Sequence, residues 1–286
     1  ADLMLRELRK VIPSFLERVD REDRGVVWSE YLQETREDTA DVVAALFPEG
    51  SIVDPSPTVR LVDFDPEGEV KMIASMMYPH STMSEDQLER RVAGMNHEDR
   101  MAVARAYVGD RRNRRHKPGR ALERPFYRFD VLVDYGAFRD LQRHRMLSMD
   151  WQNLSPHHGY ISSPLVNAAG MGPVYEEAME RSAVLYDLLV DDFPDQASYA
   201  INLAYKIRFN MNINARSAMH LIELRTTPQG HPSYREVGQE MHRLIAEEAG
   251  HTVISEMMKF VDHTDETDLE RLQSERRAQE KRQSTK

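Results

Sequence analysis

Residues 125–145 read PFYRFDVLVDYGAFRDLQRHR, and this stretch decides the fold. From Phe126 to Val133 apolar and polar residues alternate with a period of two, which predicts a strand with one apolar face and one mostly polar face. A turn around Gly136 and three consecutive basic residues, 143–145, follow the strand. The stretch therefore predicts a sheet strand that leads into a group of cationic side chains.

The chain on both sides of this strand is predicted to be mostly helical, with an additional strand at Thr58–Phe64. The predicted helices are Trp28–Leu46, Glu67–Met77, Ser84–Tyr107, Pro173–Val190, Ser198–Leu224 and Glu236–Val261, the last being the clearest in its periodicity. Pro48, Gly50, Pro55 and Pro57 mark a linker. We therefore expect a helical extension and linker over 1–57, a main domain over 58–263 and a charged tail over 264–286.

Composition limits the possible functions. The chain has 286 residues, a net charge of −10, 41% hydrophobic residues and no cysteine. The absence of cysteine excludes disulfide scaffolds, thiolate metal sites and cysteine nucleophiles. The acidic balance argues against general nucleic-acid binding, and no signal peptide or membrane span is expected, so the sequence predicts a cytoplasmic protein.

Three groups of polar residues are candidates for a functional site. Arg143-His144-Arg145 is costly to bury and favours an anion, although a surface charge run paired with Asp140 and Asp134 is the alternative. A basic stretch from Arg105 to Arg124, which contains a turn at His116–Gly119, would concentrate phosphates or form a solvated face. RNA binding through this stretch is a further alternative.

The third group lies in residues 214–225, which read NARSAMHLIELR. In a helix, Arg216, His220 and Glu223 would share one polar stripe within apolar surroundings. Glu248 and His251 have the spacing of a di-iron ligand pair, but no second such pair occurs, so we interpret them as an ordinary polar helix face without metal.

Taken together and in this order, these features resemble the flavin-dependent thymidylate synthase family. The resemblance runs from about Thr58 to Phe260 and includes the Arg-His-Arg motif, a loop histidine and the helix at 214–225. It implies an α+β fold with an antiparallel sheet flanked by long helices. The 57 residues before Thr58 are foreign to a minimal member, so we expect this sequence to be the C-terminal half of a longer variant.

The resemblance also implies a reaction and its site. Members use FAD, recharged by NADPH, to move a methylene group from methylenetetrahydrofolate to C5 of dUMP and to reduce it, which yields dTMP. Arg225 would act in catalysis beside the uracil. The residues implied in FAD binding are His116, Arg143, His144, Arg145, Asn214, Arg216, His220 and His231, and those implied in dUMP binding are Arg139, Arg143, Ser155 and Arg225. Members are homotetramers with shared sites, which predicts a homo-oligomer.

The sequence departs from the family pattern at the expected phosphate site. Asn153 stands where the family has a serine, with Ser155 two residues further on, and Asp140 stands where a glutamine is usual. These changes remove phosphate donors and add a negative charge, which predicts weak dUMP binding and feeble turnover. The alternative is therefore a degenerate, non-catalytic member that binds flavin or a nucleotide, or serves in assembly.

Overall fold

The computed structural model describes residues 2–47, 57–264 and 270–284. It divides into two compact units, Ala1–Pro55 and Ser56–Lys286. Pro48, Gly50 and Pro55 of the predicted linker lie outside the described residues, and the predicted domain boundaries stay predictions. In the first unit the described helices have no buried residues.

Helices form most of the regular structure in the described residues. They are α1 Asp2–Leu8, α2 Pro13–Leu16, α3 Val26–Leu46, α4 Gly68–Met77, α5 Glu85–Ala93, α6 His97–Val108, α7 Tyr135–Leu141, α8 Pro164–Ala168, α9 Gly172–Leu189, α10 Pro194–Ala197, α11 Ala215–Arg225, α12 Pro232–Glu247, α13 Thr252–Glu256 and α14 Glu270–Ser284. No helix among the described residues has the length and apolar character needed to cross a membrane.

A four-stranded antiparallel sheet lies at the centre of the second unit. Its strands are β1 Val59–Phe64, β2 Phe126–Asp134, β3 Leu147–Trp151 and β4 Lys206–Asn214, in the order β1-β2-β4-β3. β2 and β4 pair over their full length, from Phe126 opposite Asn214 to Asp134 opposite Lys206. This pairing places the end of β4, and the helix that follows it, beside the start of β2.

The main core lies between one face of this sheet and the helices α7, α11 and α12, and it also includes buried residues of α4, α5, α6 and α13. Tyr127, Phe129 and Val131 on β2 are fully buried there, whereas Arg128 and Asp130 lie half-buried on the opposite face. The alternation predicted for β2 is thus confirmed. A smaller core beneath α9 contains Met179, Tyr186 and Tyr205. The expected α+β class, an antiparallel sheet flanked by helices, is confirmed.

The predicted helix Ser198–Leu224 is wrong over most of its length. Residues 206–214 form the central strand β4, and α11 begins only at Ala215. Ile207, Phe209 and Met211 are buried at alternate positions, which is a strand pattern, and two neighbouring strands satisfy the backbone of β4. Long-range pairing therefore overrode the local helical compatibility.

Two other predicted helices are interrupted. The helix Glu236–Val261 is instead α12 and α13, because Gly250, with a φ of 69°, adopts a left-handed conformation between them. The helix Ser84–Tyr107 is divided into α5 and α6, where the Asn96 side chain caps the second helix by accepting from the Asp99 N–H at 2.9 Å. The described part of the charged tail is helical.

Candidate functional site

Arg225, in the last turn of α11, is the centre of the candidate site. Its Nε donates to His144 Nε2 at 2.9 Å, and its two terminal nitrogens donate to Asp140, at 3.0 Å to Oδ1 and 2.5 Å to the main-chain oxygen. The guanidinium also lies 5.3 Å from the ring centroid of Tyr234. Four contacts thus fix the orientation of a side chain that is 13% exposed.

His144 is a neutral imidazole in this arrangement. A guanidinium Nε can only donate, so Nε2 of His144 accepts and the ring proton is assigned to Nδ1. Burial, together with the positive charges of Arg225 and Arg143, lowers the pKa of His144 to about 4. Its ring is 5.9 Å from that of His220. His144 therefore offers an N–H donor near neutral pH without carrying charge.

The His144 titration provides a test of this geometry. The folded-state pKa lies below the ordinary value of 6.5, so the neutral ring stabilises the fold above that pH and the contribution is lost as the pH falls toward about 4. We expect ring resonances of His144, followed by NMR, to titrate with a midpoint near 4, and the midpoint to rise in Arg225→Ala. A midpoint near 6.5 in the wild type would contradict the contact with Arg225.

His220 contributes a buried nitrogen without a partner. Its Nδ1 has no hydrogen-bond partner among the described residues and is shielded from solvent. Burial and the nearby charges of Lys117, Arg114 and Arg225 lower the pKa of His220, so this ring is also neutral near pH 7. Buried polar atoms are seldom left unpaired in folded proteins, and a bound ligand is one explanation for such an atom.

Residues 111–119, called the basic loop below, lie against α11. Arg111 is buried rather than part of an exposed basic face, and it forms a bidentate pair with the fully buried Glu223 at 2.6 and 2.7 Å. It also donates to the His116 main-chain oxygen at 2.7 Å. Arg216 donates to the Pro118 oxygen at 2.9 Å and lies 3.2 Å from Glu123. Two arginines therefore hold this loop in place.

The remaining cations of the basic loop are free of carboxylate partners within the described part of the chain. These residues are Arg112, Arg114, Arg115 and Lys117. His116 is exposed among them, and its Nδ1 accepts from the Arg112 N–H at 3.4 Å. A chain with a net negative charge thus carries, next to His220, a loop whose basic side chains lack carboxylate partners. Clusters of basic side chains of this kind attract phosphate groups.

The structure brings some predicted site residues together and leaves others apart. Arg143, whose Nη2 donates to Asp140 Oδ1, joins the cluster of Arg225, His144 and His220. His231 caps α12 and its ring lies 6.3 Å from the Tyr234 ring. Asn214 caps α11 by accepting from the Ser217 N–H at 2.9 Å.

Arg139, Arg145 and Ser155 have no described contact with the cluster. Arg139 is exposed and lies 5.9 Å from the Tyr135 ring, and Arg145 is exposed. Ser155 is buried in the loop after β3, where its hydroxyl accepts from the His157 N–H at 3.4 Å. Their roles in dUMP or FAD binding stay predictions.

Sequence reasoning missed several participants. Tyr234 stacks on Arg225, and the spacing of these residues in the sequence does not predict the contact. Arg111 pairs with Glu223, which is 112 residues further along the chain. His251, interpreted as part of a polar helix face, is 2% exposed and pairs with the Tyr127 hydroxyl at 2.8 Å, so that interpretation was wrong. Among the described residues no cluster of three or more histidine or carboxylate side chains could hold a metal ion.

The sheet, the Arg225 cluster and the basic loop together define an α+β protein with a group of arginine and histidine side chains around helix α11. The sequence pattern of the family described as "thymidylate synthase complementing protein" matches residues 60–250. The chain therefore belongs to this family, the flavin-dependent thymidylate synthases.

Similar proteins include two of the UPF0159 group. One from Chlamydia pneumoniae is 38% identical over 278 residues, which is 96% of this chain and 51% of that protein. One from Thermoplasma acidophilum is 33% identical over 221 residues, 76% of this chain and 44% of that protein. The chain spans about half the length of the curated relatives it matches.

Solved structures with a similar fold include the UMP/dUMP methylase PolB from Streptomyces cacaoi bound with 5-Br dUMP. That comparison gives a TM-score of 0.52 and 18% identity, and it covers 70% of this chain and 94% of that one. Thymidylate synthase X from Helicobacter pylori, solved with FAD and dUMP, gives a TM-score of 0.49 and 17% identity, with 70% of this chain and 98% of that one covered. At 18% identity the likeness to the Streptomyces protein establishes the fold alone.

Proposed function

We propose that this chain is an FAD-dependent thymidylate synthase-like protein that methylates dUMP reductively to dTMP with methylenetetrahydrofolate and NADPH. The observation that carries the proposal is the neutral His144, held by Arg225 beside the unpartnered Nδ1 of His220, inside the region that the family matches. The name of the Streptomyces methylase, a protein of similar fold, supports a pyrimidine nucleotide as substrate. A cytoplasmic location remains part of the proposal.

The residues of the cluster fit FAD. The unpaired cations of the basic loop would hold its phosphates, with His116 and Arg145 as further donors, and Arg143 would donate to an uncharged oxygen of the flavin. His220 Nδ1, buried and unpartnered, would meet the cofactor, and His144 would lie against it. Asn214 and Arg216 would support this site through the α11 cap and the basic loop, and His231 through its contact with Tyr234. Bound flavin would supply the hydride that converts the transferred methylene to a methyl group.

Arg225 would face the pyrimidine. As C5 of the uracil becomes nucleophilic, negative charge develops on the ring oxygens, and a guanidinium fixed before the reaction stabilises that charge without reorganisation. Asp140, His144 and Tyr234 provide this fixation. His144 would add a neutral donor at Nδ1. The chain has no cysteine that could serve as a nucleophile, so positioning and electrostatics are the contributions proposed for the protein.

The second candidate is a non-catalytic family member that binds flavin or a nucleotide. A specific observation favours it. The Asp140 carboxylate accepts hydrogen bonds from both Arg143 and Arg225, while Arg139 and Ser155 have no described contact with these arginines. In that case the fold and the basic loop would still bind FAD, but the chain would lack the hydrogen-bond donors that bind the dUMP phosphate. FAD binding alone therefore cannot separate the two candidates, and turnover must be measured.

FAD binding tests what the two candidates share. We expect the purified chain to bind FAD, measured by quenching of flavin fluorescence, and Arg143→Ala to weaken this binding by about 1.5 to 3 kcal/mol, or roughly tenfold or more, because a charge-assisted contact is lost. Arg181→Ala is the matched control, since Arg181 is 79% exposed and pairs only with Glu177 among the described residues. Equal affinity of the wild type and Arg143→Ala would remove Arg143 from the site.

A homo-oligomer belongs to the same proposal. Helix α9 exposes Val184, Leu185 and Leu188, with 58%, 48% and 73% of their surfaces accessible. Other exposed apolar side chains lie between residues 165 and 203: Leu165, Met171, Val174, Phe193, Tyr199 and Leu203. Apolar surfaces of this kind commonly mark interfaces, and we propose a second copy of the chain as the partner. Light scattering at one chain mass would contradict this.

A further inference from the structure

Asp140 is an internal anion at the centre of the candidate site. Its Oδ1 accepts from both Arg225 Nη1, at 3.0 Å, and Arg143 Nη2. The carboxylate side chain is 30% exposed, so a ligand that reaches Arg143 also reaches Asp140. No other carboxylate contacts Arg143 or Arg225 in the described residues.

The carboxylate changes what the two arginines offer to a ligand. Carboxylate and phosphate oxygens are the same kind of acceptor for a guanidinium, so Asp140 already takes the positions that a phosphate would use. Because His144 is neutral, the positive charges of the cluster are those of Arg143 and Arg225, and the Asp140 carboxylate neutralises one of them. A phosphate brought to this point would also face a negative charge only a few ångströms away, which is strongly unfavourable outside bulk water.

We infer that Asp140 is a specificity-determining residue that selects against a phosphate group at Arg143 and Arg225, and for an uncharged group that donates a hydrogen bond, such as a sugar hydroxyl. The inference rests on the proposed function for the identity of the site. A phosphorylated ligand would have to displace Asp140 from Arg143, which is 66% exposed. Arg225 would stay in place, since it also donates to the main-chain oxygen of Asp140.

The test is Asp140→Asn, which removes the charge and keeps an oxygen that can accept from Arg225. The probe is inorganic phosphate alone, titrated into the full chain and followed through the NMR resonances of the His144 ring. We expect phosphate to bind Asp140→Asn at least about tenfold more tightly than the wild type. The matched control is Asp192→Asn, which makes the same change in net charge at an exposed position with no described ion pair.

A double variant shows whether the gain in phosphate affinity depends on Arg143. Asp140→Asn combined with Arg143→Ala should lose most of the gained affinity. Equal phosphate affinity in the wild type and Asp140→Asn, or an equal gain in Asp192→Asn, would overturn the inference. These outcomes do not depend on FAD: a chain that fails to bind FAD but gains phosphate affinity in Asp140→Asn would contradict the proposed function and leave the inference standing.

Discussion

Replacing Glu223 with alanine is expected to lower the free energy of unfolding by about 3 to 5 kcal/mol. Glu223 is fully buried and Arg111 is 3% exposed, so the substitution would leave a guanidinium buried without its counter-charge. The cation–π contact of Arg111 with Phe260, at 5.2 Å, cannot replace a bidentate carboxylate. The measurement is urea denaturation followed by circular dichroism.

The control for this prediction is an exposed ion pair. Glu177→Ala breaks a pair with Arg181 in which both side chains are mostly exposed, and we expect a loss below about 1 kcal/mol. Arg111→Met combined with Glu223→Leu should recover most of the stability lost in Glu223→Ala, because it removes both buried charges. An unfolding midpoint of Glu223→Ala equal to that of Glu177→Ala would show that the buried pair is not as described.

The sequence predicted the sheet well where the pattern was local. The period-two alternation of β2 needs no distant partner to be recognised, and the first strand was found in the same way. The turn expected around Gly136 was wrong, because Tyr135–Leu141 form helix α7. β4 was missed because its residues 206–214 are also compatible with a helix, and only pairing with β2 and β3 decides between the two. The sequence of residues 206–214 alone does not show that a strand will pair with this segment on each side.

The candidate site was predicted through residue types rather than through contacts. Arg143, His144, His220 and Arg225 were expected from the order of their motifs, and the structure brings them into one cluster. Their partners could not be predicted, because Asp140 and Tyr234 reach Arg225 from other helices. Glu223 did give a signal: a carboxylate among Leu221, Ile222 and Leu224 must be paired if it is buried.

Arg225→Ala is expected to have the largest effect on activity. Removing a donor that stabilises charge in a transition state typically lowers turnover by about 10² to 10³. The same change also releases His144 and Asp140, so we expect the loss to appear in kcat more than in the KM for dUMP. The control is Arg243→Ala, since Arg243 lies on the surface of α12 and pairs with Glu240 and Glu247. A variant Arg225→Ala with the kcat of the control would contradict the assigned role.

The most direct test of the proposed function is tritium release from C5-labelled dUMP, measured with FAD, NADPH and methylenetetrahydrofolate present. We expect release that requires FAD and methylenetetrahydrofolate, that is slow because Asp140 opposes the phosphate, and that falls by about 10² to 10³ in Arg225→Ala. Release at background level from a folded, FAD-saturated chain would contradict the proposed reaction and leave the non-catalytic family member as the better description.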